Sequence, residues 1–345
     1  MLGYLFKRLL LMVPTLLGVL TVTFGVIQFV PGGPVEQVLA EARATQKGGE
    51  GGGYKASRDI DRKQVEELKK LYGFDKPAHV RYGEMLLDFA RFDLGRSFMQ
   101  NKDVWALIKE KLPVSISLGL WTFLLSYLVS IPLGVAKAVR EGTRFDALTT
   151  TVVLVGHAIP GFVLGVLLIV VFAGGTFLDW FPLRGLVSDN WDELPWPARI
   201  ADYFWHLALP LTCLTIGSFA VTTMLTKNTF VEEMRKQYVL VARAKGLSQQ
   251  RVLYKHVFRN ALIPLVTGFP SAFVGAFFAG SVLIETLFSL DGLGLLGYEA
   301  VIRRDYPVVL GSLYVFTLIG LVVKLVSDLL YLVVDPRVQF GAAAR

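Results

Sequence analysis

The dipeptide Gly-Lys occurs nowhere in this sequence, so it holds no GxxxxGK[ST] phosphate loop and does not hydrolyse nucleotide by that route. An HExxH zinc motif is missing too, and only 4 histidines are present to ligate a metal. With a single cysteine, Cys213, neither an internal disulfide nor a CxxC pair can form. Serines with a small neighbour, Gly217-Ser218 and Gly280-Ser281, lack both the Gly-x-Ser-Gly pattern and an identifiable base. No catalytic constellation assembles, and the chain reads as non-catalytic, with neither cofactor nor metal. Charge is scarce as well: 18% of 345 residues are Asp, Glu, Lys or Arg.

What fills the sequence instead is apolar surface, 53% of residues, at a mean hydropathy of +0.52. It is gathered into six runs, Leu9–Val30, Pro113–Val139, Ala147–Ala173, Leu207–Thr226, Pro264–Phe288 and Val308–Val334. Runs of about 20 residues cross a hydrocarbon core of roughly 30 Å. The expected fold is an all-α polytopic membrane protein with six transmembrane helices, in contact with membrane lipid. The first run has 22 residues, longer than the roughly 7–15 of a signal peptide, so Ala40-Glu41-Ala42 is not taken as a cleavage site. Lys7 and Arg8 before it put the N-terminus inside.

Loop charges alternate in step. Lys137, Arg140 and Arg144 follow the second run. Between the third and fourth lie Asp179, Asp189, Asp192, Glu193 and Asp202 against Arg184 and Arg199. Six spans with both termini cytoplasmic satisfy every short loop. The net charge of +7 then needs no nucleic acid.

Five segments are expected. Residues 1–30 form the N-terminus and first span. Residues 31–112, with 15 Lys/Arg and 13 Asp/Glu and no spanning run, form a periplasmic insertion. It has a flexible Gly-rich part at 48–53 and a helical part at 60–112, with amphipathic helices over Asp61–Tyr72 and Arg81–Phe92. A five-helix core covers 113–334, a cytoplasmic loop at 227–263 lies within it, and 335–345 is a cytoplasmic tail.

That loop is the most distinctive stretch. Between Lys227 and Arg259 it holds 8 Lys/Arg against Glu232 and Glu233 alone. Ala242, Ala244 and Gly246 form a small-residue patch. Gly246-Leu247-Ser248 predicts a helix end followed by a new helix start, because Gly suits the left-handed position and Ser caps well. The spacing also resembles a DNA-binding helix–turn–helix, but spans close by on both sides pin the loop to a membrane surface.

Ionisable residues inside apolar runs are functional candidates by default. Lys324 and Asp328 are spaced to pair on one helix face. Glu285 can reach an interface or line a pathway, and His157 can satisfy a carbonyl freed by Pro160. With Phe273 and Phe278, Glu285 and His157 are the pathway candidates.

Residues Tyr238–Gly246 and His256–Pro264 resemble the coupling loop of binding-protein-dependent ABC importer permeases, in the peptide-importer form Tyr-Val-x-x-Ala-Arg-Ala-Lys-Gly followed by His-x-x-Arg-Asn-Ala-x-x-Pro. Phe29–Pro34, Gly73–Pro77, Phe92–Ser97, Glu285–Ser289 and Asp335–Arg337 resemble the same branch, and Pro182–Val187 with Leu225–Asn228 place it beside the Yej-type peptide importers. The resemblance implies a type I importer permease of the bacterial inner membrane. Its partners would be a second permease subunit in a heterodimer, cytoplasmic ATP-binding subunits, a periplasmic solute-binding protein and a peptide substrate. It implies ATPase coupling through Ala242, Arg243, Ala244, Lys245, Gly246 and Leu247, supported by Tyr238, His256, Arg259, Asn260 and Pro264. Two alternatives stay open: a same-family importer of nickel, opine or sugar, and an ion-gradient-driven secondary transporter.

Overall fold

A computed structural model describes residues 2–29, 75–175, 177–278 and 281–334. The Gly-rich 48–53 stretch, the expected helix over Asp61–Tyr72 and the tail from 335 lie outside the described residues. The regular elements of the described chain are helices, joined by loops with one isolated β-bridge between Arg96 and Asp103: α1 (Leu2–Phe29), α2 (Ala78–Ala90), α3 (Val104–Val139), α4 (Arg144–Ala158), α5 (Gly161–Phe172), a 3-10 turn (Trp191–Glu193), α6 (Trp196–Met234), α7 (Gln237–Ala244), α8 (Gln249–Arg251), a π-helical stretch (Val252–Val257), α9 (Phe258–Ala261), α10 (Ile263–Phe278), α11 (Ser281–Leu287), α12 (Leu293–Ile302) and α13 (Tyr306–Val334).

Among the described residues, 4 helices are long and apolar enough to cross a membrane: α1, α3, α6 and α13. The third expected span is not one straight helix but a pair, α4 and α5, bent by 92°. Pro160 explains the bend. It offers no N–H, and it pushes Ile159 out of helical geometry to ψ 119°. The fifth expected span appears as α10 and α11 on either side of residues 279–280, which are outside the described set.

Two helices outrun their apolar stretches. α3 starts at Val104, nine residues before Pro113, because the Asp103 carboxylate accepts the Ala106 N–H at 2.9 Å and caps it. α6 runs 39 residues where the apolar run alone predicts a helix half as long. Lys137 is therefore not a loop cation: it sits inside α3 and is 0% exposed.

Two compact units divide the chain. The first comprises Met1–Leu112 and Leu296–Leu321. Its core packs Leu94, Val104, Leu107, Ile108 and Val308. Gly311 leaves no room there, since an added Cβ would lie 2.8 Å from Val104. Phe89 meets Tyr314 at 5.2 Å between ring centroids. Asp305 gathers the loop that precedes α3 by accepting from the Ser97 hydroxyl and from the Phe98 N–H at 2.9 Å. Along α1, only 6% of the most apolar stretch is buried within the chain.

The second unit comprises Pro113–Leu295 and Val322–Arg345. One cluster, around Leu118, Leu207, Cys213, Ile284 and Phe288, joins α3, α5, α6 and α11. Polar cross-links run beside it: Ser126 to Ser218 at 2.7 Å, and the Ser130 hydroxyl donating to the Phe219 carbonyl at 3.2 Å. α3 and α6 approach tightly at Gly134, where an added Cβ would sit 2.5 Å from Thr226 Cβ and 2.8 Å from the Thr223 carbonyl. Small residues at such crossings let backbones approach. Gly134→Ala is expected to cost about 2 kcal/mol, readable as a lowered thermal transition in detergent. An unchanged transition would show that the two helices separate freely there.

Candidate functional site

The basic segment between α6 and α10 folds as a compact cap on the second unit. α6 ends at Met234, and Lys236 bonds the Glu233 carboxylate. Tyr238 donates to the same carboxylate at 2.7 Å. Burial raises the Tyr238 phenol above its ordinary pKa. Arg235 reaches back to Glu141 at 3.0 Å.

α7 spans only eight residues and is held by what it buries. Val239 and Ala242, three apart and so on one face, enter a cluster with Val135 and Ala138 of α3, Phe230 of α6, and Val252, Val257 and Ala261. Its end is a Schellman motif. The Leu247 N–H donates to the Ala242 carbonyl at 3.3 Å and the Gly246 N–H to the Arg243 carbonyl at 2.9 Å. Gly246 takes φ +79°, the left-handed geometry the motif demands. Leu247 turns back against the same cluster. Ser248 then caps α8, its side chain accepting from the Arg251 N–H. A π-helical stretch follows, in which His256 is half-buried. Asn260 donates to the His256 carbonyl at 3.4 Å, whereas Arg259 and Pro264 are exposed.

The segment therefore sorts its small residues into two groups. Ala242 faces inward at 7% exposure and holds α7 to the unit. Arg243, Ala244, Lys245 and Gly246 face out. Beside them stand two residues that motif reading passes over, Leu240 at 59% and Val241 at 53% exposure. The helical period could have found them: with Val239 and Ala242 inside, Leu240, Val241 and Ala244 must lie outside. The outward face of α7 is thus apolar at its centre and basic toward its end.

The pathway candidates do not converge. Phe273 stacks on Phe269 at 6.2 Å and meets Phe123 of α3 at 5.5 Å, building an aromatic face between α3 and α10. The Phe278 side chain lies outside the described residues. Glu285 reaches no surface: it is 0% exposed and its Oε2 accepts the Leu295 N–H at 2.6 Å. His157 does not serve a carbonyl freed by Pro160. Its Nδ1 lies 2.8 Å from the Gly217 carbonyl of α6 and, as the N–H tautomer, donates to it. Lys324 is exposed on α13 and Asp328 half-buried.

Known proteins align with this chain along most of its length. Residues 130–340 match the family described as the inner membrane component of binding-protein-dependent transport systems. The chain is 52% identical to the peptidoglycan transport system permease protein YejB of Agrobacterium fabrum, over 98% of both chains. It is 51% identical to the inner membrane ABC transporter permease protein YejB of Escherichia coli O157:H7, over 98% of this chain and 99% of that one. A di/tripeptide transport system permease protein, DppB of Pseudomonas aeruginosa, is 33% identical over 98% of this chain and 99% of its own.

Proposed function

The chain belongs to the inner membrane components of binding-protein-dependent transport systems, and from that membership we propose that the outward face of α7 is where partner ATPases drive it. The protein is a multi-pass, non-catalytic permease subunit of an ABC importer in the bacterial inner membrane, and its cargo is peptide. Its partners include ATP-binding and substrate-binding proteins and a second permease.

The finer reading is ours. Six spans place both termini and the 227–263 segment in the cytoplasm, and the 31–112 insertion receives the binding protein outside. The second permease is a different chain, so the pair is a heterodimer. The observation that supports the coupling assignment is the sorting of α7. Val239 and Ala242 fasten the helix to α3 and α6, so whatever moves the helix moves those spans. Leu240, Val241 and Ala244 offer a short apolar strip to a groove on the ATPase, with Arg243 and Lys245 placed for acidic groups at its rim. ATP-driven closure of the ATPases then favours one of two permease conformations. It shifts the balance only as far as its affinities for the two differ. The stacked pair Phe269 and Phe273, backed edge-on by the buried Phe123, is our assignment for pathway lining, because an aromatic surface accepts varied side chains without charge selection.

Affinity purification of the tagged protein from its own membrane, with mass spectrometry of what accompanies it, tests this reading. A second permease and an ATPase are expected. The ATPase is expected to be lost from a Leu240→Asp, Ala244→Asp variant that still carries the second permease. Retention of the ATPase by that variant would move the coupling surface elsewhere.

A further inference from the structure

At the α4 end of the second unit lies a buried charge cluster that the coupling surface does not use. Lys137 of α3, fully buried, donates to the Asp146 carbonyl at 2.9 Å, to the Thr149 hydroxyl at 2.9 Å and to the Thr150 hydroxyl at 2.6 Å. Its ammonium also lies 3.1 Å from Asp146 Oδ1. The other carboxylate oxygen, Oδ2, takes Lys227 of α6 at 2.7 Å and the Gly142 N–H at 3.2 Å. Thr143 caps the start of α4 by accepting from the Asp146 N–H. One carboxylate thus joins three helices, with two lysines on it.

Such a cluster is a poor way to gain stability. Desolvating charges costs roughly what their attraction returns, and an apolar replacement of the same shape often does as well. What it provides is geometry, because each partner has one place to be. Its position gives the geometry a use. Lys137 lies between Val135 and Ala138, the buried α3 members of the apolar cluster that holds α7, and Lys227 lies three residues before Phe230, its buried α6 member. α4 makes no part of that apolar cluster. It packs along α6 and is tied to it at two polar points, Asp146 near its start and the His157 bond to Gly217 near its end.

We propose that Asp146 is a positioning residue that gangs α3, α4 and α6 into one moving body, so that displacement of α7 is delivered to all three and onward to the α4–α5 bend. The proposal rests on the coupling role of α7 argued above. Without the carboxylate, α7 still pushes α3 and α6 through the apolar cluster, but α4 lags and strokes are lost. The expected signature is slippage: ATP is hydrolysed without a peptide moved.

The complete importer, reconstituted in liposomes with its binding protein, ATPase and second permease, provides the test. Hydrolysis, peptide uptake and ATPase retention are measured together. Lys227→Gln, which removes only the α6 arm and leaves the Lys137–Asp146 pair intact, is expected to keep the ATPase bound and lower uptake per ATP by about fivefold. Asp146→Asn is expected to lower it by more than about tenfold, and Asp146→Glu to recover part of the loss. An unchanged ratio in both variants overturns the proposal. So does a parallel fall in membrane protein, hydrolysis and uptake at constant ratio, which marks a role in folding alone. Wild-type liposomes that import peptide without ATP would overturn the coupling reading itself, and this proposal with it.

Discussion

Gly246→Trp leaves the protein in the membrane at normal abundance and abolishes peptide uptake. The substitution separates folding from docking because of where Gly246 sits. It follows the last turn of α7 at φ +79°, is exposed, and has nothing within 4 Å of an added Cβ. A side chain there therefore meets no wall of its own protein. It strains the backbone by about 1–2 kcal/mol, the usual cost of a left-handed non-glycine residue. That is small beside the burial of Val239, Ala242 and Leu247, which fastens the segment. The indole instead adds bulk to the open surface near Leu240, Val241 and Ala244, where the proposed docking of the ATPase would be blocked. Gly246→Ala carries the same strain without the bulk and is expected to keep more than about half of the uptake, within the effect of 1 kcal/mol on a folded protein. Gly246→Asn should keep more, since Asn tolerates this geometry. Membrane abundance, ATPase co-purification and uptake are measured for all three. Full uptake by the Trp variant would place the docking surface away from α7.

The same residue shows what can be read from a sequence. Gly246 and Ser248 are punctuation with a local mechanism, a left-handed turn and a cap, and both stand where the string of letters predicts them. The apolar runs are legible for a similar reason, since a bilayer imposes length. Facing is harder. Ala242 and Ala244 look alike in sequence, yet one is buried and the other exposed, because Phe230 and Val135 from distant segments decide which side of α7 is inside. Lys137 misleads in the same way. Beside Arg140 and Arg144 it reads as one more basic loop residue, and only the return of α4 and α6 brings Asp146 and the threonines that allow its burial. The 92° bend at Pro160 is half legible: proline announces a break but not whether the chain merely kinks or turns.

Glu285 is where the sequence leaves two readings, an interface residue or a pathway residue, and the geometry points to a third. Its buried carboxylate accepts the Leu295 N–H at 2.6 Å, in the first turn of α12, while the Ser115 hydroxyl accepts the neighbouring Leu293 N–H at 2.8 Å. Helix starts leave such amides without intrahelical partners, and a carboxylate there also meets the favourable end of the helix dipole. Gly292 completes the arrangement, since an added Cβ would lie 2.6 Å from the carboxyl carbon. Glu285→Ala removes the acceptor from a sealed site and leaves a void, at an expected cost of about 3 kcal/mol. Glu285→Gln still offers an oxygen to Leu295 and is expected to cost about 1 kcal/mol. Gly292→Ala should fall between them, because the carboxylate it displaces has nowhere to move. Thermal transitions of the detergent-solubilised importer rank the three, and peptide uptake is measured beside them. A pathway residue would give the opposite pattern: transitions near wild type in every variant, with altered preference among peptides. The capping role predicts that uptake falls only as far as folded protein does.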